Sequence, residues 1–558
     1  MKKLLITILF IAFALTLTSC NTSGNEDYTT TLSTEATYSI EVIDLGDVTY
    51  ENYEEEERIV LDVSSEAYNI TEAGSYILRG TITETVTINV GEDEDVRLIL
   101  DNVTIVTELN SAILVLSADD VEISVPDGTV NYLEDSVNYS ETYQDYNSAL
   151  YSEADLLING TGTLNVQANY NNGISTKDDL IIVDVTLNVI SVDDGIIGRD
   201  SLSIQNATIE LETEGDGLKT TFELDDDSEE VITDKGYVNI ISGTITIYSD
   251  SDGIDATNNI VIDGGTLNIT SNSKGIKSDI GLYINDGIIT IDSSDDAIHV
   301  DINLEVAGGL LTISTNDDGL HSEAYLTISG GTINILDSFE GIEGKYIYIT
   351  GGTMDIFAED DGINGSDPKI DIADALRPNE TPDEDLSTAI INISGGVILI
   401  ESEDDSIDSN GIINISGGII VINGPTSGMQ SMIDYDLKWT LTGGTIIAVS
   451  GYGNETKIPS SSSTQISLLY NTGTTQSAGT TVSLLDEDDN VIIAFTPTKR
   501  YQAIFITTPD LDDSTTYTFC LGGDVSGELV NRYYTDAEVT GSRTVDTFKL
   551  NSITNKLS

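Results

Sequence analysis

Carboxylates set in columns, with a few cations among them, are the residues of this chain whose spacing could do chemistry. Acidic residues followed by glycine and an aliphatic side chain return every 22 residues over long stretches. The residue before the glycine position gives one column: Asn172, Asp194, Asp216, Asp252, Lys274, Asp296, Asp318, Glu340, Asp361 and Asp405. One place earlier runs a partial second column of Asp193, Asp295, Asp317, Asp360 and Asp404. If successive repeats stack at the spacing of neighbouring β-strands, about 4.8 Å, carboxylates in one column repel each other. Either their pKa values rise or a cation sits between them. Calcium (Ca2+) is the expected cofactor, because it accepts about six to eight oxygens from carboxylates and turn carbonyls. Its candidate ligands are Asp193, Asp194, Asp216, Asp252, Asp295, Asp296, Asp317, Asp318, Asp360, Asp361, Asp404 and Asp405. Asp-Gly is also good turn chemistry by itself, which accounts for one aspartate per turn but not for the doubled pair. Lys274 is expected to lie between Asp252 and Asp296 and to neutralise both.

A second polar column starts two residues past the glycine position: Lys219, Asp255, Lys277, His299, His321, Glu343, Asn364 and Asp408. The chain's 2 histidines fall here, one repeat apart. One reading is a strip that contacts acidic sugars, with Lys274, Lys277, His299, His321 and Tyr325 as candidate substrate-binding residues. The other, which the alternating charge favours, is a surface ladder that relieves like-charge stacking. A soft-metal site is disfavoured, with no third nitrogen or sulfur ligand near the histidines. No nucleophile elbow, phosphate loop or zinc motif occurs, so no catalytic residue is assigned. A third outward column, Thr246, Asn268, Thr290, Thr312, Asn334 and Asp355, implies a flat hydroxyl and amide face. Such a face could dock an ordered polymer, although threonine is also simply a good strand residue.

The elements that must position these columns follow from the same repeat. From Gly331 the chain reads Thr332-Ile333-Asn334-Ile335, alternating with period two as a half-buried strand does. Aliphatic columns stack almost without exception: Ile245, Leu267, Ile289, Leu311, Ile333; then Ile247, Ile269, Ile291, Ile313, Ile335; then Ile254, Ile276, Ile298, Leu320, Ile342. Three inward sets per repeat predict an all-β, right-handed parallel β-helix of three-strand coils of about 22 residues, with N- and C-terminal β caps. The regular helix is expected over 152–424, interrupted by insertions near 222–237 and 364–389. Residues 64–151 are expected to form an N-terminal cap with irregular first coils, and 425–558 a C-terminal β cap.

Composition narrows the function classes. Twenty-two Lys+Arg stand against 96 Asp+Glu, for a net charge of −74. Self-repulsion of that size calls for bound cations or a large surface, and it makes nucleic acid a poor partner. Residues 1–20 carry Lys2 and Lys3, an apolar run and Leu17-Thr18-Ser19-Cys20, which is similar to a bacterial lipoprotein cleavage box. Cys20 is the expected lipid attachment, residues 21–63 a polar tether and N-terminal segment, and the location the extracellular face of the membrane. With Cys20 lipidated, Cys520 has no partner for a disulfide.

The coil Leu326-Thr327-Ile328-Ser329-Gly330-Gly331-Thr332-Ile333-Asn334-Ile335 and the Asp-Asp-Gly-aliphatic turns carry a family resemblance. So do Tyr170-Asn171-Asn172-Gly173-Ile174-Ser175-Thr176-Lys177-Asp178-Asp179-Leu180 and Gly424-Pro425-Thr426-Ser427-Gly428. Together they resemble a clostridial family of carbohydrate-binding domain-containing surface proteins. That resemblance implies a calcium-binding right-handed β-helix, similar in architecture to pectate lyases, that binds cellulose or polygalacturonate. The lyases use calcium with a Lys or Arg base, and Lys274 and Lys277 are the nearest candidates, without a lyase motif around them. Three functions stay open: a polysaccharide-binding surface protein that does not cleave its ligand, a calcium-dependent polysaccharide lyase, and a structural or adhesive surface protein.

Overall fold

The inward aliphatic columns of the sequence do become one continuous apolar core. A computed structural model of the chain describes residues 59–64, 68–222, 235–366, 388–453 and 456–558. The leader, Cys20, most of the tether and most of both insertions lie outside these residues. All regular structure among the described residues is β-strand, wound as a parallel β-solenoid of about 16 turns with roughly 22 residues per turn.

Each regular coil contributes one strand to each of three parallel ladders. In the first, Thr266–Ser271, Ile288–Ser293 and Leu310–Thr315 lie in register, so Leu267 stacks on Ile289 and Ile289 on Leu311. The second ladder holds the short strands Ile254–Ala256, Ile276–Ser278 and Ile298–Val300, which follow the acidic-Gly turn. The third holds Ile260–Ile262, Gly281–Ile284 and Asn303–Val306. Ile245, Leu267, Ile289, Leu311, Ile276 and Ile298 are fully buried. Alternation of side chains across each strand sends the neighbouring Thr, Asn, Lys and His residues outward.

Two glycine columns permit this stacking, for different reasons. At the acidic turn the coils approach too closely for a side chain: a Cβ on Gly217 would come 2.5 Å from the carbonyl oxygen of Gly253 in the next coil. At the corner before the first ladder the backbone itself is left-handed, with φ of +97° at Gly265 and +79° at Gly331, a conformation glycine adopts without steric cost.

Parallel pairing reaches beyond 152–424 in both directions. Gly74–Ile82 already pairs in parallel with Val96–Val106, and Lys438–Ser450 with Ile412–Asn423. The last of these keeps the Gly443-Gly444 corner but has lost the Asp-Gly turn, which is why the repeat fades there. Stacking ends where Tyr501–Thr507 pairs antiparallel with Lys438–Ser450. A separate six-stranded antiparallel sheet then forms from strands between Val482 and Lys549. Its core, including Val482, Phe495, Tyr517 and Phe519, packs on Leu399, Val421 and Ile447 of the last coils. Those residues occupy the outward column that carries Thr290, Thr312 and Asn334 earlier in the solenoid. Where the chain covers its own first ladder, the outward column is aliphatic.

Candidate functional site

The acidic turn between the first and second ladders sets several carboxylates of the main column beside the amide of the next coil. Asp194 Oδ1 accepts the N–H of Asp216 at 2.9 Å, Asp216 that of Asp252 at 2.9 Å, and Asp296 that of Asp318 at 3.2 Å. These aspartates thus satisfy turn amides that strand pairing leaves open, a structural role for the column beyond ion binding.

The second oxygen of Asp194, Asp216, Asp296 and Asp318 faces a cation of the polar column. Lys219 Nζ lies 2.6 Å from Asp216 and 3.2 Å from Asp194. His299 Nδ1 lies 2.7 Å from Asp296, and His321 Nδ1 lies 2.8 Å from Asp318 and 3.3 Å from Glu343. Lys277 bridges Asp255 at 3.0 Å and Asp279 at 3.4 Å. Lys274 departs from expectation: its ammonium turns to Asp295 at 2.8 Å and Asp296 at 3.5 Å, both on one side. Asp252 is served by the backbone N–H of Lys274 instead, at 2.9 Å. Burial works against charge on His299, but its hydrogen bonds to Asp296 and Asp301 prevail and raise its pKa to about 9. The same balance raises Lys274 and Lys277 above the ordinary lysine value. Burial raises the Asp296 carboxyl, but the hydrogen bond from His299 outweighs it and the net shift is downward.

In the two polar columns, among the described residues, the cations stop at His321 and the acids continue. Glu340, Glu343, Asp360, Asp361, Asp404, Asp405 and Asp408 occupy three successive coils. Burial, with Glu343 adding repulsion, pushes Glu340 up to about 8. Burial and then Asp408 push Asp361 up to about 9, and burial lifts Asp405 to about 6 against the hydrogen bond from Ser431. Lys457 stands at the edge of this group but is engaged by Asp434 and the Tyr435 carbonyl. Asn364 sits within the group, only 9% exposed, and its Nδ2 donates to both oxygens of Glu340 at 2.9 and 3.1 Å. The other end of that amide, Oδ1, is buried without a hydrogen-bond partner among the described residues. In the same run of coils, carboxylate oxygens of Asp360, Asp361 and Asp404 lie within 4.8 Å of one another. Clustered carboxylate oxygens, with a buried amide oxygen in the neighbouring polar column, are oxygen donors of the kind a hard divalent cation takes. The residues present therefore fit calcium here. At Asp194, Asp216, Asp296 and Asp318 a lysine or histidine already supplies the positive charge.

Of the predicted sugar contacts, Lys274, Lys277, His299 and His321 gather along the second ladder, with the two imidazoles 4.8 Å apart. Tyr325 does not join them. It belongs to the third ladder, half-buried and stacked on Tyr346 at 5.1 Å. The coupling of the aspartates to backbone amides and the orphaned Asn364 oxygen escaped sequence reading. A signal for the latter existed, since Asn364 is the one neutral residue in a polar column flanked by Glu343 and Asp408.

Comparison with known proteins identifies the family. A family model described as carbohydrate-binding domain-containing protein matches residues 64–341 and 311–492. A carbohydrate-binding domain-containing protein of Acetivibrio thermocellus is 34% identical over 126 residues, which is 22% of this chain and 44% of that relative. The match thus spans less than half the length of the relative. A solved structure described as a polysaccharide lyase-like protein from C. thermocellum, in a gadolinium derivative, is 29% identical. It aligns over 44% of this chain and 96% of its own, with a TM-score of 0.36. With the family model matched along most of its length, the chain belongs to the carbohydrate-binding domain-containing protein family.

Proposed function

We propose that this is a calcium-dependent cell-surface protein that binds plant-type polysaccharides, cellulose or pectin, without cleaving them. Family membership supports polysaccharide binding in general. The calcium reading is supported by one cluster, the carboxylates of Asp360, Asp361 and Asp404 within 4.8 Å of one another, with the Asn364 oxygen of the adjoining polar column buried and without a donor among the described residues. These residues would hold the ion, whose charge would relieve their mutual repulsion and tie neighbouring coils together. Lipid on Cys20 would hold the protein at the extracellular face of the membrane.

The lyase alternative requires a base that gives up its proton near neutral pH. Lys274 and Lys277 are each held by two carboxylates and raised in pKa, which opposes that role. The test combines retention and turnover. Protein is incubated with insoluble cellulose and with pectin, in calcium and in chelator, while polygalacturonate solutions are followed for the ultraviolet absorbance of unsaturated products. Retention that chelator weakens, with no absorbance, is expected. Sustained absorbance would establish a lyase, and retention on neither polymer would leave the adhesive alternative.

A further inference from the structure

The outward face of the first ladder is divided in two. From Val397 onward it is aliphatic and covered by the C-terminal sheet. Arg532, at the tip of a hairpin of that sheet, marks the boundary by pairing with Asp355. Among the coils before that boundary, five have first-ladder strands that start at Gly243, Thr266, Ile288, Leu310 and Thr332, with nothing packed on their outward face among the described residues. Their central outward positions are Thr246, Asn268, Thr290, Thr312 and Asn334. Four steps between coils make a platform roughly 19 Å long.

Two features of this platform are not those of an ordinary acidic surface. First, it is nearly neutral in a chain of net charge −74. It holds no Lys, Arg or His, and its acids, Asp292 and Asp337, stand at the turn ends of their strands. Second, large apolar side chains project from it: Ile288 at 51% and Leu310 at 38% exposure open the strands of adjacent coils, and Tyr248 at 50% and Leu336 at 60% stand near the far ends of theirs. Ile288 and Leu310 are flanked by the hydroxyls of Thr290 and Thr312. Adjacent exposed aliphatics bordered by regularly spaced hydroxyls suit a ligand with both C–H and O–H faces.

We infer that this uncovered Thr/Asn face, centred on Ile288 and Leu310, is the docking surface for an uncharged polysaccharide lying extended along the solenoid. The inference rests on the polysaccharide-binding reading above and deepens it. Charge decides the occupant. A polyuronate would meet a strongly negative molecule with no cation on this face, and like-charge approach is costly. A neutral glycan leaves no charge desolvated, can lay the C–H faces of its rings on Ile288 and Leu310, and can exchange hydroxyl hydrogen bonds with the flanking threonines. The C-terminal sheet closes one end of the platform, so the chain of sugars would approach from the N-terminal side.

The test uses the full chain, the Ile288→Ser/Leu310→Ser double variant, and Thr290→Arg, which raises a bulky charge from the flat face. Thr327→Arg, on the outward side of the third ladder, is the control. Thermal melts establish that each variant is folded. Binding is read by retention on insoluble cellulose and on calcium-pectin gel, and oligomeric state by light scattering. The expected result is a tenfold or greater loss of cellulose retention in both face variants, with the control unchanged. Unaltered cellulose retention in both would overturn this face while leaving polysaccharide binding intact. Failure of the unmodified chain to bind either polymer would overturn the wider reading as well. Binding to pectin alone would overturn the neutral ligand, and a dimer lost in both variants would make the face a contact between two copies.

Discussion

Replacing Asp361 by asparagine should change stability with opposite sign in chelator and in calcium. Burial and the neighbouring Asp408 raise this carboxyl from 3.8 to about 9, so without a divalent ion the folded protein keeps it protonated at pH 7. The unfolded chain ionises it. A carboxyl with a raised folded pKa contributes stability at low pH that is lost as pH climbs from about 4 to about 9. At pH 7 the deficit is about 4 kcal/mol, at about 1.4 kcal/mol per pH unit. Because Glu340, Asp405 and Asp408 share the repulsion, relief at one site should realise about 2 kcal/mol of it. Asparagine keeps the shape and an oxygen but removes the charge. In chelator the melting temperature of Asp361→Asn should therefore rise by a few degrees. In millimolar calcium it should fall below that of the unmodified chain, since a charged ligand is gone. Calorimetric melts in both buffers at pH 7 read this directly. Destabilisation of equal size in both would refute the reasoning and make Asp361 an ordinary turn residue.

The other predictions follow from the paired and packed parts of the solenoid. Lys274→Met leaves Asp295, Asp296 and Asp317 without their ammonium and should cost about 2 kcal/mol in chelator; calcium should restore most of it in denaturation curves. His299, raised from 6.5 to about 9, stabilises fully below about pH 6.5 and loses that contribution as pH rises through 9. His299→Gln should remove about 3 kcal/mol of stability at pH 6 and almost none at pH 10, measured by melts across that range. Ile291→Ala, in the buried first-ladder column, should cost about 3 kcal/mol at any pH and with or without calcium, by the same melts.

Much of the fold was legible because stacking turns sequence distance into spatial column. Leu267 lies over Ile245 and under Ile289, as the 22-residue step requires, and the turn glycines mark the corners. What the columns left open was the direction of long side chains. Lys274 has carboxylates on both sides, and only its rotamer selects Asp295 and Asp296 over Asp252. Tyr325 shares a strand with His321, yet a corner within that strand places it on a different face. The C-terminal sheet was illegible for another reason. Leu399 and Val421 continue a threonine column as aliphatics, but their partners Phe495 and Phe519 lie far along the chain in strands with no repeat. The candidate cation site fell between these cases: its acids were visible as columns, while the orphaned Asn364 oxygen became apparent only when every donor around it was assigned.

The measurement that tests the account most directly is binding of the full chain to an array of plant glycans, in calcium and in chelator. Retention of polysaccharides in calcium, reduced when the ion is removed and without release of unsaturated fragments, is the predicted result. No glycan retained in either buffer would contradict it.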